Sequence, residues 1–172
     1  MDTTFSEQLV SRASTGADKA KKILISVGAI LIASILMWLS IIFAAYSLIL
    51  LVFGVLGGGV YLVSNMDVEY EYIITDNEMD IDKIIGRRKR KRMITLDLSN
   101  AEAFGAYPTT EDIKVDATVH ASTGYEKNAA YLTVQHSTYG RVMLIFNPNE
   151  KTREAIMQEI PNQLRIKIRN NA

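Results

Sequence analysis

Between Ile23 and Val63 the chain carries no Asp, Glu, Lys, Arg or His over about forty residues. A helix crosses a hydrocarbon core of about 30 Å with about 20 apolar residues, so this run holds enough for two crossings. As one helix it would reach about 60 Å at about 1.5 Å per residue. Two antiparallel spans fit better, placed at residues 23–40 and 44–63 with a short turn near 41–43. A span and a re-entrant segment broken at Gly57, Gly58 and Gly59 is the alternative, and it would put the C-terminal hundred or so residues on the opposite side. The three glycines also suit close helix–helix approach. Trp38, Tyr46 and Tyr61 fall where interfacial aromatics belong.

Lys19, Lys21 and Lys22 precede the run, and the basic stretch at residues 87–92 comes after it, while the intervening turn is uncharged. By the positive-inside rule, both termini of a two-span protein are then cytoplasmic. The run is too long for the ~7–15-residue core of a cleavable signal peptide. The absence of cysteine excludes disulfides, thiolate metal sites and a cysteine nucleophile, and fits a reducing compartment. Net charge is zero, so there is no global commitment to nucleic acid.

Residues 1–22 are read as a short cytoplasmic segment, either a mobile tail or a weakly amphipathic interfacial helix on Phe5, Leu9, Ala13, Ala17 and Ala20. From Asp67 the period changes to two. Val68, Tyr70, Tyr72 and Ile74 alternate with Glu69 and Glu71, and Asp76–Asn77 supplies a turn. Met79, Ile81 and Ile85 continue the pattern to a turn at Gly86. Further strands are expected at 88–96, 98–104, 115–121, 129–136 and 141–146, with a loop over 122–128. Asn149 is placed to cap a helix that Pro161 ends, with Ile156, Met157 and Ile160 on its inner face. Residues 163–172 are read as a tail, in which Leu164, Ile166 and Ile168 have the spacing of a short strand.

Seven strands and a closing helix in this order resemble the pleckstrin-homology (PH) superfold. The stretch from Tyr70 through Ile74, Thr75, Asp76 and Asn77 to Met79-Asp80-Ile81-Asp82 resembles the opening hairpin of bacterial PH-like domains. Such domains often come after paired membrane helices, and the chain is similar to a family of bacterial two-pass proteins built this way. The resemblance implies an α+β membrane protein. Its parts are an N-terminal transmembrane hairpin over 23–64, a seven-stranded antiparallel β sandwich or barrel over 66–162, and a C-terminal capping helix. It carries no activity and no cofactor.

The sharpest polar feature is Arg87, Arg88, Lys89, Arg90, Lys91 and Arg92. A strand leaving the bilayer, a distal turn at Asp76–Asn77 and a returning strand bring the turn at Gly86 back to the membrane surface. There each Lys or Arg near an anionic leaflet is worth about 1 kcal/mol. Membrane lipids of the anionic leaflet are therefore the expected partner, with a membrane protein complex as a further possibility and nucleic acid excluded. A structural reading competes: Asp80 and Asp82 would face Lys89 and Lys91 across the hairpin as ion pairs, with Arg88, Arg90 and Arg92 on the other face. Asp67, Glu69 and Glu71 dilute the positive field.

Catalysis finds little support. His120 and His136 are expected on neighbouring strands, not opposite each other, and no nucleophile elbow is visible. The carboxylates Asp76, Glu78, Asp80 and Asp82 lack the glycine turn of a calcium loop. The expectation is a membrane-tethered binding or scaffolding module. A small accessory subunit of a membrane transport or envelope-stress complex is the alternative, and an enzyme a distant third.

Overall fold

The computed structural model describes residues 4–110, 112–124 and 128–171. Two compact units emerge. A helical unit covers Ser14–Val68 and Ile85–Arg88, and a sheet unit runs through Ala13, resumes at Glu69–Ile84, and continues from Lys89.

In the helical unit, α1 spans Gly16–Ile42 and α2 spans Leu48–Ser64. Thr15 opens α1 with a capping box: its hydroxyl accepts from the Asp18 N–H, and the Asp18 carboxylate accepts from the Thr15 N–H, each at 3.1 Å. The turn expected at 41–43 falls later, because α1 continues through Ile42 and the connection occupies residues 43–47. α2 runs unbroken through Gly57, Gly58 and Gly59, so no re-entrant break lies there. Gly59 alone of the three is close to α1, where an added Cβ would stand 2.9 Å from that of Ala29; Gly57 and Gly58 face open space. By length and composition α1 can cross a bilayer, whereas α2 has 17 residues.

In the sheet unit, β1 (Phe5–Ser11), β2 (Val68–Thr75), β3 (Glu78–Ile85) and β4 (Lys89–Asp97) form one sheet in that order. The second sheet has the order β5 (Ala101–Ala106), β7 (Ala130–His136), β8 (Gly140–Phe146) and β6 (Ala117–Ala121). A 3₁₀ turn at Leu98–Asn100 occupies the start of the strand expected at 98–104.

β1 corrects the expectation of a tail or helix at the N-terminus. It pairs antiparallel with β2 from Phe5↔Thr75 to Ser11↔Glu69. Its inward residues include Ser6 and Val10, while Phe5 and Leu9 are 55% exposed. The strand was therefore hidden by an inverted pattern, with its largest apolar side chains outward. The sheet unit consequently begins before the apolar run, and both helices are an insertion between its first and second strands. That makes eight strands among the described residues rather than seven.

A second correction concerns strand direction. β6 runs parallel to β8, from Ala117↔Val142 to Ala121↔Phe146. The chain leaves β5 at one edge of the sheet, and β6 lies at the other. Tyr107, Ile113 and Val115, from the connection between them, pack on Tyr131, Met143 and Ile145. The third correction is α4 (Asn162–Asn171), a helix where a tail or strand was expected. A helix satisfies its own backbone groups, whereas a lone strand needs a ladder partner.

The core between the sheets is built on Tyr72, Ile74, Met79, Ile81, Leu132, Leu144 and Phe146, all fully buried. Tyr72 meets Phe146 edge-on at 5.5 Å. Its hydroxyl donates to the carbonyl of Ala121 and accepts from the Asn147 N–H at 3.4 Å, so one side chain ties β2 to two points of the second sheet's chain. Burial pushes the Tyr72 phenol well above its usual range. Asn149 caps α3 (Glu150–Glu159) by accepting from the Thr152 N–H at 2.8 Å, and Ile156 and Ile160 are buried, as the sequence leads one to expect. Gln8 binds the start of this helix to β1: its amide donates to the Asn147 carbonyl at 2.9 Å and accepts from the Asn149 N–H at 2.8 Å.

Candidate functional site: the basic run

The run from Arg87 to Arg92 is divided by the fold. Arg87 and Arg88 belong to the helical unit, and Lys89 to Arg92 open β4 of the sheet unit.

The turn at Gly86, Arg87 and Arg88 has positive φ at Gly86 (59°) and Arg87 (56°). Gly86 is needed there on two grounds. A side chain is strained at that φ, and a Cβ would come within 3.0 Å of both the Ser64 carbonyl and the Asn65 side-chain oxygen. The Gly86 N–H donates to the carbonyl of Asp67 at 2.8 Å. The Asp67 carboxylate takes the Lys22 ammonium at 2.5 Å, so one residue joins the start of α1, the end of α2 and this turn. Arg88 donates to Asn65 Oδ1 at 3.2 Å and stacks its guanidinium 4.8 Å above the Tyr61 ring.

On β4 the expected pairing of Lys89 and Lys91 with Asp82 and Asp80 is not found. Arg92 binds both acids instead, through Nε to Asp82 at 2.5 Å and Nη1 to Asp80 at 2.6 Å. Thr95 adds a hydroxyl donor to Asp80 at 2.6 Å. Arg90 lies 2.7 Å from Glu71 and 3.9 Å from Asp82. The turn takes three residues, and a one-residue change in turn length changes which residues at the start of the returning strand share a face with Asp80 and Asp82. Arginine also suits the place, since its planar fork can meet two carboxylates at once. Lys89 and Lys91 are exposed and have no ion pair among the described residues.

The acids under these arginines are unusually covered for an outer sheet face. Glu71 is 5% exposed and Asp82 2%. Glu71 lies across from Leu9 of β1 in the strand register. Burial raises the Glu71 carboxyl above its usual range, with Glu7 and Asp82 adding to the rise and Arg90 opposing it. The hydrogen bond to Asp82 is the main cause holding Arg92 protonated even more firmly than usual.

The histidines offer no catalytic pair. His120 is on β6 and His136 on β7, with β8 between those strands. His136 Nδ1 accepts from the Thr138 and Tyr139 N–H groups at 3.0 and 3.3 Å and so closes a turn. The loop at 122–128 expected between these strands lies partly outside the described residues, at 125–127. Among the described residues no three His, Asp or Glu side chains gather as metal ligands. A shallow depression of about 490 Å³ beside Glu102, Lys114 and Thr133 includes Arg141, which is already bound to Glu102 at 2.6 Å.

Two four-stranded sheets, a tyrosine joining them and a C-terminal helix against the first strand form the frame of a PH-like domain. A family described as "Bacterial PH-like domain (DUF6106)" matches residues 1–166. The chain belongs to this family. The match includes β1 and both helices, in keeping with a PH-like domain that carries its helices as an insertion. No curated protein and no solved structure matches the chain. A PH-like domain is typically a binding or scaffolding module rather than a catalyst.

Proposed function

We propose that this PH-like protein is a two-span membrane tether whose cytoplasmic sheet unit presents a basic edge to the anionic inner leaflet. The observation that carries the reading is the clamp at Asp67. Lys22, the end of α2 and the Gly86 turn meet there, which brings a lysine flanking the first apolar segment and the start of the basic run to one end of the helix pair. Side chains such as Leu24, Trp38, Ile41, Leu50 and Phe53 stand exposed along both helices, a surface suited to lipid rather than water. Tyr61 under Arg88 has the amphipathic character of an interfacial anchor. With Arg90 and Arg92 engaged by carboxylates, Lys89 and Lys91 carry the lipid-facing charge on β4.

The absence of cysteine permits a direct test. The full chain bearing Met93→Cys, labelled with a fluorophore and placed in nanodiscs, reports approach to spin-labelled lipid headgroups. Quenching should be stronger with phosphatidylglycerol than with phosphatidylcholine alone. It should weaken in Lys89→Gln/Lys91→Gln without loss of thermal stability, and fade with salt as the Debye length falls from ~10 Å at 0.1 M to ~3 Å at 1 M. Equal quenching in both lipids would defeat the lipid reading. Reporters fused at the two termini should both signal from the cytoplasm, and an external signal from either would defeat the two-span reading.

A second reading, a small subunit of a larger membrane complex, draws on α2. Gly54 and Gly58, one helical turn apart, and Gly57 meet nothing within 4 Å, a small-residue face that α1 leaves uncovered.

A further inference from the structure

The lipid reading leaves unexplained why acids lie buried on the outer face of the first sheet, beneath a run of cations. Strand alternation puts Tyr70, Tyr72 and Ile74 of β2 inward and Glu69 and Glu71 outward. The charged groups acting on Glu71 are Arg90 from β4, Glu7 from β1 and Asp82 from β3. Asp80 and Asp82 are themselves taken by Arg92, and Glu69 accepts from the Ser11 hydroxyl at 3.4 Å. Among Glu71, Asp80, Asp82, Arg90 and Arg92, three carboxylates therefore share two guanidiniums, and Glu7 adds a fourth carboxylate beside Glu71.

Glu71 is the least well held of the three. Arg92 Nε donates a directed hydrogen bond to Asp82, and Thr95 donates one to Asp80. The Arg90 guanidinium approaches Glu71 Oε2 at 2.7 Å but off the hydrogen-bonding direction, so that buried oxygen receives no directed donor. A buried carboxylate oxygen short of a donor is the place in such a network where a proton is taken up at least cost.

We propose that Glu71 is an acid-responsive counter-charge, whose protonation reduces the excess of carboxylates over guanidiniums in this network and so strengthens apposition of the basic edge to an anionic leaflet. This rests on the lipid reading above. A solvent proton adds to the Glu71 carboxylate. Its charge attraction for Arg90 is lost, and the ion partner left to Arg90 among the described residues is Asp82, at 3.9 Å and already engaged by Arg92. Arg90 is half-exposed and can then turn to lipid phosphate. Both the cancelled negative charge and the released guanidinium act in the same direction.

The nanodisc assay with labelled Met93→Cys in the full chain tests this. With phosphatidylglycerol, the apposed-to-free ratio should rise about fivefold on acidification from about pH 7.5 through the Glu71 titration, the effect of one elementary charge at an anionic leaflet. Glu71→Gln should show the raised ratio already at the starting pH and respond little to acid. Arg90→Gln should respond less than the wild type. A carbon-13 carboxyl titration of Glu71 in the unmutated chain gives a check that does not depend on the variants folding, and it should coincide with the lipid response. A pH response that persists in Glu71→Gln, or that does not track this titration, overturns the proposal. Apposition that depends on anionic lipid but not on pH also overturns it and leaves the lipid reading standing. No dependence on anionic lipid at any pH instead removes the lipid reading itself.

Discussion

The Gly86 N–H reaches the carbonyl of Asp67 at 2.8 Å, and through it the turn between β3 and β4 is fastened to the end of α2. Nothing in the local pattern around either residue links the two groups, yet the contact decides where the basic run begins. A side chain at position 86 meets two obstacles, the positive φ and the Ser64 and Asn65 oxygens.

Gly86→Ala should therefore destabilise the full chain by more than the ~1 kcal/mol of left-handed backbone strain alone. Gly124→Ala is the control, because Gly124 also has positive φ but open space around its Cβ position. Thermal unfolding in detergent should place Gly86→Ala clearly below Gly124→Ala. Equal losses would show that the clamp adds nothing to the strain.

β1 should be required for the sheet unit. Ser11 lies opposite Glu69, so a short Gly/Ser linker can replace residues 14–66 and close β1 onto β2 as a hairpin. That chain should be a soluble, β-rich monomer. The same chain without residues 1–12 leaves the edge of β2 open and should aggregate. If both behave alike in size-exclusion chromatography and thermal melts, β1 is dispensable and its pairing does not support the fold.

Asp97 makes stability depend on acid. Its carboxylate accepts from the Ser99 N–H at 3.0 Å, Ser99 Oγ at 2.5 Å, Asn77 at 3.0 Å and Asn100 at 2.9 Å. The Ser99 hydroxyl is the main cause holding its pKa below the ordinary carboxylate range. A carboxyl with a lowered folded pKa stabilises the fold above its unfolded pKa and loses that contribution as pH falls through the folded one. Asp97→Ala should cost about 1 kcal/mol near neutral pH, and the gap from the wild type should close in strong acid. A gap that stays constant with pH would rule out the charge as its source.

Much of this protein was legible without coordinates, and the reasons are physical. The uncharged run dictates apolar helices whatever surrounds it, because so many apolar side chains cannot be left scattered in water. The two-residue period from Val68 to Ile81 dictates half-buried strands, and Asn149 with Ile156 and Ile160 dictates a capped, one-sided helix. These signals are local, and each lies within one element. The structure alone decided what depended on distant partners. Phe5–Ser11 reads as neither strand nor core, since Phe5 and Leu9 face outward, and only β2, lying beyond two helices in the chain, makes it a strand. The direction of β6 was set by the edge of the sheet it reached. At the candidate site, the six cations were plain in the sequence, but their division was not. A three-residue turn directed Arg90 and Arg92 toward Glu71, Asp82 and Asp80 and left Lys89 and Lys91 outside, because parity across a hairpin depends on the turn's length and no local pattern fixes that number.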